Sequence, residues 1–135
     1  MTQIRTPSNK SQYFLPKETF LTVVHYCRQY PIWLSELNAL SDSRHGVDYD
    51  SDRIQSSGSH DQVFDIVAQR EKLVTKKDVI EKTAAAVSGG LQSWLILGVC
   101  YGLTYFQLAD RGIPCGKDLY YQMMRKFYFE LSKRI

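Results

Sequence analysis

The stretch GLTYFQLADRGIPCGKDLYYQMMRKFYFELSKRI, residues 102–135, decides the predicted fold. From Lys117 to about Lys133 it repeats apolar side chains every four residues, which predicts a strong amphipathic helix. The side chains expected to be buried on this helix are Leu119, Met123, Phe127 and Leu131, widened by Tyr120, Met124 and Tyr128. The glycines and proline of residues 111–116 predict a turn before it.

Two shorter helices are predicted before this turn. Thr104 is a suitable N-cap for a helix that begins at Tyr105, and Gly102 separates that helix from one over residues 91–101. The inward side chains are expected to be Trp94, Leu95 and Val99 in the first, and Phe106, Leu108 and Ala109 in the second. The order of these elements predicts a helix-turn-helix: a short helix, a turn with a buried Ile113, and a longer basic helix.

The rest of the chain predicts further helices. We expect an N-terminal helical hairpin in residues 1–40, a flexible loop in 41–60, a long helix in 61–90 and the helix-turn-helix region in 91–135. The long helix is capped by Ser59 or Asp61, and serves either as a spine or as a homodimer seam. The apolar positions expected inside are Phe20, Val23, Val24 and Cys27, then Ile32, Trp33, Leu34, Leu37 and Leu40, and in the long helix Val63, Ile66, Val67, Leu73, Val74, Ile80, Ala84 and Val87.

The predicted fold class is therefore all-α: a helical bundle with a C-terminal helix-turn-helix and a long central helix. The chain has 135 residues, 44% of them hydrophobic, which suits one folded domain of ordinary size. No apolar run approaches the roughly 18–20 residues that span a bilayer. We expect a cytoplasmic protein that does not enter the membrane.

The charge distribution points to an anionic partner. Residues 88–135 hold 6 Lys and Arg against 3 Asp and Glu, whereas the first 87 residues are neutral. A basic final helix of a helix-turn-helix favours binding of double-stranded DNA, although a solvated helix face has the same composition. The residues expected to face bases are Lys117, Asp118, Tyr121, Gln122 and Arg125, and those expected at phosphates are Thr104, Tyr105, Lys126 and Lys133.

The segments YGLTYFQLADRGIPCGKDLYYQMMRKFYFELSKRI and GSHDQVFDIVAQREKLVTKKDVIEKTA carry a family resemblance. They resemble the RinA/ArpU-like late transcriptional regulators of prophages in Gram-positive bacteria, whose C-terminal half is similar to the fourth region of sigma factors. By this resemblance Gly102 and Thr104-Tyr105 match the entry to the motif, Ile113 its turn, and residues 117–125 the recognition helix. The resemblance implies a phage or prophage activator of late genes that binds DNA and contacts host RNA polymerase.

Enzymatic motifs are not found in the sequence. There is no GxxxxGK[ST], GxGxxG or HExxH, and Cys27, Cys100 and Cys115 form no CxxC pair. The cluster Asp48, Asp50 and Asp52 lacks the glycine and glutamate of a calcium loop. We therefore expect a non-enzyme without metal or cofactor. The alternative function is a phage-encoded inhibitor of a host enzyme, RNA polymerase or a defence nuclease such as a CRISPR effector, on the same scaffold.

Overall fold

The computed structural model describes residues 12–46 and 57–135, and the side chains of 12–41 and 64–135. Throughout this part of the chain every regular element is an α-helix and there is no strand, so the predicted all-α class is confirmed. The helices are α1 Lys17–Arg28, α2 Tyr30–Gly46, α3 Ser57–Ser88, α4 Gln92–Val99, α5 Tyr105–Asp110 and α6 Lys117–Ser132. Helices α4, α5 and α6 follow one another in the predicted order.

The chain divides into two compact units. Ile32–Asp78 forms one, and Val79–Ile135 forms the other together with the chain up to Pro31. In the first unit Trp33 and Leu73 are buried, and Lys76 Nζ lies 5.8 Å from the centre of the Trp33 ring. The candidate site belongs to the second unit.

The core of the second unit joins α1, α4, α5 and α6. Helix α1 packs against α4 and α6, and α4 packs against α5 and α6. The predicted inward face of α1 is confirmed, because Phe20, Val23, Val24 and Cys27 are all buried. Phe20 meets Tyr128 of α6 edge to face, with ring centres 5.3 Å apart, which is a favoured geometry for an aromatic pair.

Two hydrogen bonds hold the end of α3, which belongs to this unit, against its other elements. The Tyr30 hydroxyl donates to the Glu81 carboxylate at 2.6 Å, and the Arg134 guanidinium donates to the Thr83 hydroxyl at 3.3 Å. Burial and the bond to Glu81 together raise the pKa of Tyr30. Thr83, which the apolar pattern did not include, is fully buried, and its hydroxyl donates to the Val79 carbonyl at 2.6 Å.

The bounds of α2 and α3 differ from the prediction. Helix α2 continues to Gly46 and α3 begins at Ser57, so helix covers both ends of the predicted loop 41–60. Ser59 and Asp61 therefore lie inside α3, and their assignment as caps was wrong. Extending an existing helix adds one hydrogen bond for each residue fixed and needs no apolar period, which is why the pattern missed these turns. Asp48, Asp50 and Asp52 lie outside the described residues.

Several predicted inward positions face solvent instead. Phe106 is 64% exposed and Ala109 is also exposed, whereas Leu108 between them is fully buried. Since each helical residue turns by about 100°, Phe106 points about 200° away from Leu108.

Leu119 of α6 is 50% exposed, because a strict four-residue row drifts by about 40° at each step and leaves the buried face. Ile32 and Val67 were also expected inside and are exposed, while Trp94 is half-buried.

Helices α4 and α6 meet where Gly98 faces Tyr120. A Cβ atom at residue 98 would overlap the Tyr120 hydroxyl oxygen and lie 3.0 Å from Tyr120 Cζ. Tyr120 is fully buried, and its hydroxyl has no hydrogen-bond partner in the described part of the chain. Burial raises the pKa of Tyr120, because the interior disfavours the charged phenolate. Glycine at residue 98 thus provides the space that this tyrosine needs.

Gly98→Ala is expected to destabilise the protein by about 1–2 kcal/mol. Overpacking a closed core costs about 1–3 kcal/mol, and the better helix propensity of alanine returns only about 1 kcal/mol. Adding Tyr120→Phe should restore part of the loss, because it removes the overlapping oxygen. Urea unfolding followed by circular dichroism measures both effects. A Gly98→Ala midpoint equal to or above that of the wild type would contradict the packing described.

Candidate nucleic-acid interface

The exposed face of α6 carries most of the residues predicted to contact bases. Tyr120, Met123, Phe127, Tyr128 and Leu131 are buried and fix one side of this helix. On the other side Lys117, Asp118, Gln122 and Arg125 are exposed, and Tyr121 is half-buried beside them. The structure therefore brings four of the five predicted base-facing residues to the solvent side of one helix within its first nine residues, with Tyr121 half-buried at its edge.

The N-terminus of α6 has no side-chain cap. The N-cap residue is Gly116, which is extended and has no side chain that could accept a hydrogen bond from the first turn. The N–H groups of the first turn are consequently open to an external acceptor, and the helix dipole favours a negative charge at this end. Lys117 adds a positive charge at the same end, whereas Asp118 in the first turn opposes it.

The start of α5 is held by a complete capping box. Thr104 Oγ accepts a hydrogen bond from the Gln107 N–H at 3.2 Å, and the Gln107 side-chain oxygen accepts from the Thr104 N–H at 2.8 Å. The predicted N-cap is therefore confirmed. The Tyr105 hydroxyl donates to the Cys115 carbonyl at 2.8 Å, which ties α5 to the turn before α6. Both predicted phosphate contacts at this point are thus already engaged within the protein.

The two remaining predicted phosphate contacts differ in their surroundings. Lys126 is half-buried on α6. Lys133 is exposed, but its Nζ lies 3.8 Å from a Glu130 carboxylate oxygen and 4.3 Å from the centre of the Phe129 ring. Exposed ion pairs of this kind contribute roughly 0–1 kcal/mol, so Lys133 can exchange Glu130 for another anion at little cost.

The turn between α5 and α6 is anchored by one aliphatic side chain. Ile113 is buried, and its N–H donates to the Leu108 carbonyl at 3.1 Å, which confirms its predicted burial. The connection spans residues 111–116, longer than the roughly three to four residues common in a helix-turn-helix. The assignment of the motif itself stays a prediction.

An apolar surface beside this turn was not predicted. Phe106 of α5 and Leu119 of α6 are both largely exposed, and Lys117 Nζ lies 5.1 Å from the centre of the Phe106 ring. The sequence pattern had placed both side chains in the core, so it gave no indication of this surface. If the two side chains form one continuous patch, they are suited to contact with a partner, because contiguous exposed apolar patches mark interaction sites.

The three cysteines are free thiols in the structure. Cys27 and Cys100 are both buried, which confirms the predicted burial of Cys27, and burial together with contact to Cys100 raises the pKa of Cys27. Burial also raises the pKa of the half-buried Cys115. No group of three or more His, Cys, Asp or Glu that could hold a metal occurs within this described part. The non-enzyme assignment stays a prediction.

Comparison of the chain with protein-family models, curated proteins and solved structures finds no match. The resemblance to RinA/ArpU-like regulators therefore stays a prediction that depends on the quoted residues alone. In the described ranges 12–46 and 57–135, no helix combines the length and the apolar character that crossing a bilayer requires.

Thr104→Ala is expected to destabilise the protein by about 1 kcal/mol, because it removes one half of the capping box. Thr75→Ala is a matched control, since Thr75 is exposed within α3 and its hydroxyl only donates to the Glu71 carbonyl. Alanine there should be neutral or slightly stabilising. Thermal unfolding of the two variants measures the difference, and equal midpoints would show that the cap contributes nothing to stability.

Proposed function

We propose that the chain is a sequence-specific binder of double-stranded DNA that regulates transcription. The observation that carries this proposal is the solvent face of α6, where Lys117, Gln122 and Arg125 are exposed opposite a fully buried apolar side. A helix of this kind fits the major groove, and residues in its first turns reach base edges.

Each exposed side chain has a role that its chemistry allows. Arg125 and Lys117 donate to the O6 and N7 atoms of guanine, and Gln122 forms paired hydrogen bonds with adenine. Asp118 accepts from the amino group of cytosine, and the half-buried Tyr121 contacts a base or the adjoining sugar. The mixture of donors and acceptors favours sequence selection over uniform binding to the backbone.

Phosphate binding depends mainly on the cationic groups and the helix end. Lys126 and Lys133 contribute charge, and the uncapped first turn of α6 offers N–H groups to a phosphate oxygen. Thr104 and Tyr105 contribute less than the sequence suggested, because their polar groups are already bonded within the protein. Thr104 retains its hydroxyl proton for a phosphate.

The biological setting of the proposal comes from the family resemblance. In this setting the protein is encoded by a phage or prophage and acts in the cytoplasm of a bacterial host. It activates late genes and contacts host RNA polymerase. Homodimerisation through the long helix α3 belongs to the same proposal, since two copies would bind two half-sites.

A second candidate function is supported by the exposed Phe106 and Leu119. These two side chains suit a protein partner, as expected of a phage-encoded inhibitor of RNA polymerase or of a defence nuclease. Phe106→Ala/Leu119→Ala should then abolish stoichiometric binding to that purified enzyme and leave DNA affinity unchanged. A DNA regulator instead loses DNA affinity on charge reversal at α6.

For the first function, Lys117→Glu/Arg125→Glu is expected to abolish salt-dependent DNA binding. The full chain is titrated into random duplexes and promoter fragments, and fluorescence anisotropy is measured over a series of salt concentrations. For the wild type, the logarithm of the binding constant should fall against log salt with a slope of roughly −2 to −4, as for two to four phosphate contacts.

Arg70→Glu/Lys72→Glu is the matched control, because it makes the same charge change at two exposed residues of α3. This control should retain most of the affinity and keep the slope. Equal losses in both double variants would mean that net charge alone drives binding. Unchanged affinity after reversal at Lys117 and Arg125 would contradict the assignment of α6 as the DNA-binding helix.

A further inference from the structure

Arg28, the last residue of α1, has an unpaired guanidinium group. No hydrogen bond or ion pair joins this group to any other residue that the structure describes. Its Nε atom is buried without a partner, although the residue as a whole is only half-buried. A buried donor without an acceptor is rare in folded proteins and calls for an explanation.

The guanidinium of Arg28 lies next to the glycine between α4 and α5. The Cβ position of a side chain at residue 102 would lie 3.7 Å from Arg28 Nη1 and 4.0 Å from Nη2. Gly102 has a φ of 76°, a left-handed conformation that glycine adopts readily. These are ordinary van der Waals distances, so the guanidinium lies in contact with this connection, and it is the backbone conformation of residue 102 that favours glycine.

This position places Arg28 near the start of α5, where Thr104 is a proposed phosphate contact. Gly102 is two residues before the Thr104 cap, and Tyr105 connects α5 to the turn that leads into α6. Arg28 is close enough to act electrostatically on the Cys27 thiol and the Tyr128 hydroxyl, which are uncharged and buried. Neither can neutralise the guanidinium, so the charge of this half-buried residue has no counter-ion among the residues described.

We propose that Arg28 binds a phosphate of the DNA backbone next to the base pairs that α6 reads. This inference rests on the proposed function. A guanidinium matches the geometry of a phosphate and can donate two parallel hydrogen bonds to it. The N-terminal part of the chain thereby supplies a DNA contact from outside the predicted helix-turn-helix.

The test is the salt dependence of DNA binding by Arg28→Gln in the full chain. This variant removes the charge and keeps a polar side chain of similar length. Loss of one phosphate contact should reduce the magnitude of the log–log slope by about 0.9. Arg28→Lys should keep the wild-type slope, since it retains the charge, but bind several-fold more weakly because the paired geometry is lost.

Lys17→Gln is the control, because Lys17 is exposed at the opposite end of the same helix and its loss changes the net charge equally. A purely structural role for Arg28 would lower the unfolding midpoint and leave the slope of Arg28→Gln equal to that of the wild type, which would overturn the inference alone. If the wild type itself shows no salt-dependent binding, the proposed function fails and the inference fails with it.

Discussion

The contact between Tyr120 and Gly98 is the constraint on which the rest of this unit depends. A whole phenol ring is buried against the backbone of α4, in space that only glycine leaves open. Once Tyr120 is fixed, the turns that follow must bury Met123 and Phe127, and the ring of Tyr128 meets α1. The same rotation of α6 leaves the opposite face to solvent. The orientation of the charged residues is therefore a consequence of aromatic packing and not of the charges themselves.

Local features of the fold could be predicted from the sequence because they depend on neighbouring residues. The inward face of α1, the Thr104 cap and the buried Ile113 all follow from spacing or from backbone hydrogen bonds. Phe106 was misplaced because hydrophobicity alone does not say which face of a helix as short as α5 is buried, and Leu119 because the strict four-residue row drifts off the buried face of α6. The residues that the core accepts are Leu108 in α5 and Tyr120 in α6. Which side chains it accepts depends on the distances between the helices, which the sequence pattern does not contain.

The candidate site shows the same division between local and tertiary information. The exposure of Lys117, Asp118, Gln122 and Arg125 follows from one helical period, and the sequence indicated it correctly. The commitment of Thr104 and Tyr105 to internal hydrogen bonds could not be predicted, because the Tyr105 bond needs the position of the later turn. Arg28 gave no signal at all. It comes from the opposite end of the chain and reaches Gly102 only through the packing of α1 against α4.

The central claim, that the solvent face of α6 lies on DNA, is tested most directly by photo-crosslinking. A benzophenone amino acid replaces Gln122 in the full chain, and a second protein carries it at Thr75, an exposed position of α3. Each is irradiated with a pool of random duplexes in the presence of total bacterial protein. The account predicts crosslinks from residue 122 to DNA that disappear at high salt and do not occur from residue 75. Crosslinks from residue 122 to protein alone, or none above the level of residue 75, would contradict it.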